Sequence, residues 1–144
     1  MVHSKGFSLL EIFIVITVLA MIFFITAPVY HRFKEANDLD AAYNLIANGL
    51  VRAQFRSQSV ENDSGWGVKI IGHQLIIFKG LNYGARDINY DEKINLPANI
   101  SVSDLTEINF AKLTGYTNTT GTIILLNSAN QSKGININEK GSIN

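Results

Sequence analysis

The 144-residue chain carries twelve Lys or Arg and twelve Asp or Glu, so it has neither the basic excess of a nucleic-acid coat nor the acidic excess of a disordered tail. It contains no cysteine, which excludes a disulfide framework, thiolate catalysis and a cysteine metal site. Its length is that of one domain-sized unit.

The chain begins with a short polar leader ending Lys5-Gly6, followed by Phe7-Ser8-Leu9-Leu10-Glu11 and an almost unbroken apolar run to Val29. That run approaches the roughly 20 residues a helix needs to cross a bilayer. Glu11 is out of place in it. An ionised carboxylate costs about 2.5–3.5 kcal/mol at mid-bilayer on insertion scales, less near the end of a span, and wants a partner. Cleavage between Gly6 and Phe7 would create a positively charged amine four residues from Glu11, and that amine on a neighbouring subunit could neutralise it. A secretory signal peptide would instead need a small-x-small site after the apolar core. The nearest, Ile25-Thr26-Ala27, has bulky Ile25 and is followed at once by Pro28. The membrane segment is therefore expected to stay in the product. Lys5 on one side and Arg32 and Lys34 on the other leave its orientation undecided by charge.

Helical periodicity resumes past Pro28. Leu39, Tyr43, Ile46, Leu50 and Ala53 recur every three or four residues, while Arg32, Lys34, Glu35, Asp38, Asp40, Arg52 and Arg56 mostly occupy other faces. We read one helix over residues 7–57, bent near Pro28 because proline removes a backbone donor and clashes with the preceding turn. Such a helix would be about 75 Å long. Residues 57–67 read as its exit loop. Strands are predicted at 66–71 and 74–79 around a tight Gly72-His73 connection, then at 94–96, 100–103, 108–111, 122–126 and 135–138, with a last short one at 142–144. The predicted class is α+β: a long N-terminal helix, its first half transmembrane, its second half packed on an antiparallel β-sheet. The predicted divisions are a leader 1–6, a transmembrane and assembly half 7–29, a soluble helical half 30–58 and a β-rich head 59–144.

The segment from Lys5 to Glu11, with the apolar run behind it, resembles the signal of type IV prepilins and the pseudopilins of type II secretion. The resemblance covers about the first fifth of the chain. It implies a pilin-like fold, cleavage after Gly6 by a prepilin peptidase, N-methylation of Phe7, and a docking role for Glu11 during assembly. Pro28 falls where many members of that family carry a helix-kinking proline. The implied partners are the peptidase, an inner-membrane assembly platform and other pilin or pseudopilin subunits that pack through their N-terminal helices. The implied location is the bacterial inner membrane, single-pass, and then a pilus or pseudopilus. No cofactor and no enzymatic activity are implied. Absence of cysteine points towards a minor pilin or pseudopilin, since many major pilins staple their C-terminal region with a disulfide. A looser resemblance, to FimT-like or H-class minor pseudopilins, rests on Phe110, Gly115, Gly121-Thr122-Ile123, Ile135-Asn136-Ile137 and Gly141-Ser142-Ile143. Ser142 stands where that group often has arginine, which weakens a DNA-uptake reading. A fibre-borne binding module, for DNA uptake or adhesion, is the alternative function.

Other constellations read as structural. His3, His31 and His73 have no evident Ser or acid partner in sequence, and no nucleophile elbow, phosphate loop or zinc-protease helix occurs. Asp87, Asn89 and Asp91 reproduce the first three ligand positions of a calcium loop, but Glu92 stands where glycine is needed and Ala98 where the closing acid belongs. A solvated acidic loop is the expected reading. Arg52, Arg56, Lys69, Lys79 and Lys93, with Tyr83 and Tyr90, could form a basic groove for an anionic strand, but acids are interspersed and nucleic acid is not the expected partner. Trp66, Phe55 and Phe78 are expected in the helix–sheet core.

Overall fold

A computed structural model describes Gly6 and residues 8–143, with the side chains of residues 25–29 and of His31 not described. The class is α+β, with antiparallel sheets. The elements in chain order are α1 (Leu9–Gln58), β1 (Trp66–Ile71), β2 (Gln74–Lys79), β3 (Asp87–Asn95), β4 (Ile100–Asp104), β5 (Glu107–Phe110), β6 (Gly121–Asn127) and β7 (Ser132–Ile137). Single 3-10 turns occupy Glu61–Asp63 and Tyr83–Ala85. The chain divides into two compact units, Met1–Lys34 and Glu35–Asn144.

In the first unit, every large apolar side chain from Leu9 to Phe24 is exposed, from 49% for Leu19 to 87% for Leu9. The hydroxyl of Thr17 donates to the Phe13 carbonyl at 2.7 Å, so this polar side chain is satisfied within the helix. Among the described residues no helix is long and apolar enough to cross a membrane. The described apolar side chains stop at Phe24, and the last five positions of the run, 25–29, fall outside them. Helix assignment continues through position 28, while the Pro28 side chain lies outside the described set.

The second unit holds the core. Leu39, Ala42, Ile46, Leu50, Ala53 and Ser57 form the buried stripe of α1, and Tyr43, predicted within it, packs half-buried at its edge. Residues 35–58 share one core with the strands. Phe55 departs from expectation: it is 67% exposed, on the helix face turned away from the strands.

The strands form two sheets, ordered β3-β2-β1-β5 and β4-β6-β7, where one had been expected. The chain changes partner between β4 and β5. Asp104 adopts a left-handed conformation (φ 66°), β4 pairs with β6, and β5 pairs with β1. Both sheets bury one face in the same core, with Val68, Leu75, Ile77 and Ile108 from the first and Ile100, Ile123, Leu125 and Ile135 from the second. The β1–β2 hairpin forms with the predicted ends and two-residue connection. The strand predicted at 94–96 is a nine-residue edge strand, β3, whose charged alternation suits an edge that must not recruit another strand. Past β7 there is no further strand among the described residues; Ile143 makes an isolated bridge to Ile137, and Asn144 lies outside the described set.

The far face of the first sheet is also covered. Ile76 and Phe78 are buried there, opposite in register to the core residues Leu75 and Ile77. The segment after β2 folds back over them: Tyr83 meets Phe78 edge-on at 5.6 Å, and the Arg86 guanidinium lies 3.7 Å above the Tyr83 ring. Arg86 pairs with Asp91 at 3.0 Å. Gly67 lies beneath this cover, where a Cβ would collide with the Phe78 ring and the Asn109 amide oxygen.

Candidate functional site

The N-terminal candidates are placed as follows. Gly6 is exposed, with open space around the position of a Cβ. Phe7 lies outside the described residues. The Ser8 carbonyl accepts from the backbone N–H groups of Glu11 (3.0 Å) and Ile12 (3.2 Å), which starts α1. Glu11 therefore sits in the first helical turn, where the partial positive charge of the helix end favours an acid. Ser8-Leu9-Leu10-Glu11 also has capping-box spacing, a local reason for this acid that sequence reasoning missed although the signal was readable. The Glu11 side chain is exposed and makes no hydrogen bond or ion pair among the described residues.

The calcium candidates do not curl around a common point. Asp87, Asn89 and Asp91 lie along β3, where Asn89 donates to the Asp87 carboxylate at 3.0 Å and Asp91 is taken by Arg86. Among the described residues no group of three or more His, Asp or Glu side chains is arranged to hold a metal ion.

Four of the five basic residues are likewise engaged, and Lys93 is exposed without an ion pair among the described residues. Arg52 and Arg56 both reach Glu92, at 2.5 and 3.2 Å, and Lys69 reaches Glu107 at 3.2 Å. Arg56 also lies 4.6 Å above the Trp66 ring, and Lys79 lies 4.3 Å above Tyr90. Lys69 pairs in register with Ile76, on the sheet face opposite to the core, so the predicted groove is split between two faces. His73 is an exposed turn residue whose carbonyl accepts from the Leu96 N–H. His3 and the His31 side chain lie outside the described residues.

Two carboxylates are held below the usual range. Asp63 is lowered by its hydrogen bond to Lys112 and by that ammonium's charge. For Glu107, desolvation pushes upwards, but bonds from the Tyr83 backbone N–H, Lys69 and Asn109 together outweigh it.

Residues far apart in sequence converge at the C-terminal end of α1. The Gln54 amide donates to the carbonyls of Gly115 (3.1 Å) and Lys140 (2.9 Å). Gly141 (φ 72°) lies against them; a Cβ there would come within 2.8 Å of the Gly115 oxygen and 3.0 Å of the Phe110 ring. Phe110, Gly115 and Gly141 were three separate points of resemblance in sequence, and in space they are one cluster. Asn138 closes the last turn, its Oδ1 accepting from the N–H groups of Lys140 and Ser142 at 3.0 Å each.

No protein-family model, curated protein or solved structure matches this chain.

Proposed function

We propose that the chain is a minor pilin or pseudopilin, a structural subunit of a type IV pilus or type II secretion pseudopilus. The carrying observation is the run of exposed apolar side chains from Leu9 to Phe24, with an acid in its first turn, joined to a unit that already possesses its own core. Such a surface is costly in water and is relieved by lipid or by neighbouring apolar helices.

In this reading the fold is pilin-like and the sequence run to Val29 anchors the subunit in the inner membrane before assembly. A prepilin peptidase cuts after Gly6, Phe7 becomes the methylated N-terminus, and Pro28 bends the helix. An assembly platform then moves the subunit from lipid into a bundle of neighbouring helices. Glu11 pairs with the new amine of an adjacent subunit. In a bundle of low dielectric that pairing is strong, and an unpaired Glu11 is costly.

The test is an immunoblot of fibres sheared from native cells, with the membrane fraction alongside. Mature protein in the fibres supports a pilus subunit, and mature protein confined to the membrane supports a short pseudopilus or a priming subunit. Protein that keeps its leader in cells with an active prepilin peptidase would overturn the reading. A bulky residue in place of Gly6 should leave the precursor uncut, read as retained leader mass.

A fibre-borne DNA-binding module is disfavoured by the ion pairs that occupy Arg52, Arg56 and Lys69. Polyanion binding draws its strength from cations free to replace counterions.

A further inference from the structure

Two open depressions of about 450 and 270 Å3 adjoin on the surface of the Glu35–Asn144 unit, and both are lined by Tyr116 and Asn118. The larger is walled by Asp63, Leu81, Lys112 and Thr119, and the smaller by Thr120 and Glu139. Apart from Asn109 and Phe110 at the end of β5, the lining residues come from loops: the one after α1, the one after β2, the β5–β6 connection and the turn after β7. Together the depressions make one groove, divided by the 116–118 segment.

The chemistry of the groove is specific in kind. Tyr116 and Leu81 offer exposed apolar surface, 55% and 86%. Asn118 and Thr120 make no side-chain hydrogen bonds within the described structure, so their donors and acceptors remain available to a ligand. Asn109 also lines the larger depression, and its Oδ1 is the one buried side-chain oxygen or nitrogen without a hydrogen-bond partner among the described residues.

Charge narrows the ligand class. Lys112 is paired with Asp63, which leaves Glu139 as the one uncompensated charge among the lining residues. A polyanion is therefore disfavoured. An extended peptide would be expected to add along a strand edge, and of the strands only the last two residues of β5, Asn109 and Phe110, reach the groove. What fits is an uncharged chain with many hydroxyls and weakly apolar C–H faces: the faces lie on Tyr116, and the hydroxyl or acetamido groups bond to amide and hydroxyl side chains. The first depression falls within the roughly 300–1,000 Å3 span of small-molecule sites.

We propose that this groove binds a neutral glycan, with saccharide units on either side of the Tyr116–Asn118 segment. The full chain, purified in a detergent without a sugar headgroup, is tested by calorimetry and saturation-transfer NMR. The probes are cellotriose, chitotriose, maltotriose and mannotriose, with a thymidine oligonucleotide as the anionic control. At least one trisaccharide is expected to bind, and the oligonucleotide is not. Tyr116→Ala should weaken that binding about tenfold, the usual scale for truncating an aromatic anchor. Asn118→Ala should weaken it as well, whereas Ile88→Ser, on exposed β3, should leave it unchanged. Absence of binding by all four trisaccharides at 10 mM (about the weak end of such affinities) would overturn the proposal. So would binding that survives both groove substitutions, or displacement of the sugar by the oligonucleotide. Binding is read on the isolated chain, so its failure is distinguishable from a failure to assemble into fibres.

Discussion

The side-chain amide of Gln54 donates to the carbonyl oxygen of Lys140 at 2.9 Å, across 86 positions of sequence. The same amide reaches the Gly115 carbonyl, so one helical side chain holds the β5–β6 connection and the C-terminal turn together. Gln54→Ala and Gln54→Glu both remove the donor, and Glu keeps the size. Each should destabilise the protein by about 1–2 kcal/mol, lowering the melting temperature by roughly 5 °C. If Gln54→Glu melts like the parent protein, the amide is not the tie.

Asp91 and Arg86 give a second test. The Asp91 side chain is only 3% exposed, and its partner Arg86 is itself packed over Tyr83. Asp91→Asn leaves a largely buried guanidinium without its counter-charge and should cost about 3 kcal/mol. Since Arg86 already occupies this carboxylate, calcium at millimolar concentration (on the order of the weakest protein sites) should leave the melting temperature unchanged. A rise on adding calcium would restore the ion-binding reading of Asp87, Asn89 and Asp91.

Glu107 gives a pH dependence. Its carboxyl is held below the ordinary glutamate range, so the folded protein binds that proton less readily than the unfolded chain does. The stabilisation is complete above the unfolded value and is lost as pH falls through the depressed folded value. Glu107→Gln should therefore be less stable than the parent near neutrality, and the two should converge on acidification. Denaturant melts of both proteins across the acid range would check this; a constant difference at every pH would rule out Glu107 as its source.

Glu11 separates a local role from an assembly role. If it serves only to start α1, Glu11→Ala is processed and incorporated into fibres nearly as well as the parent. If it neutralises the amine of a neighbour, the variant is processed normally but incorporates poorly. We expect the second outcome, measured as the ratio of mature protein in sheared fibres to that in membranes. Normal incorporation would remove the docking role.

Patterns that repeat along a single element are legible in the sequence. The α1 stripe from Leu39 to Ala53 repeats every three or four residues, and the β1–β2 hairpin is marked by apolar strands around Gly72-His73; both formed with close to the expected bounds. Only the end of β3, from Ile94, was expected as strand, because the charged alternation of residues 87–93 looks like a solvated loop and only its pairing with β2 makes it a strand. Phe55 was misplaced for a related reason. Its apolar character says that it would gain from burial, but not that its position on the helix faces outward.

The sequence by itself determined the apolar run with Glu11 at its head and the α+β class, because charge and hydropathy at fixed spacing act locally. Tertiary structure alone decided the split into two sheets, the cover over Phe78, the meeting of Gln54 with Gly115 and Lys140, and the groove around Tyr116. Each of these joins groups from separate elements. Their distances depend on how the strands pair and on where the chain turns, and no periodicity within one segment encodes that.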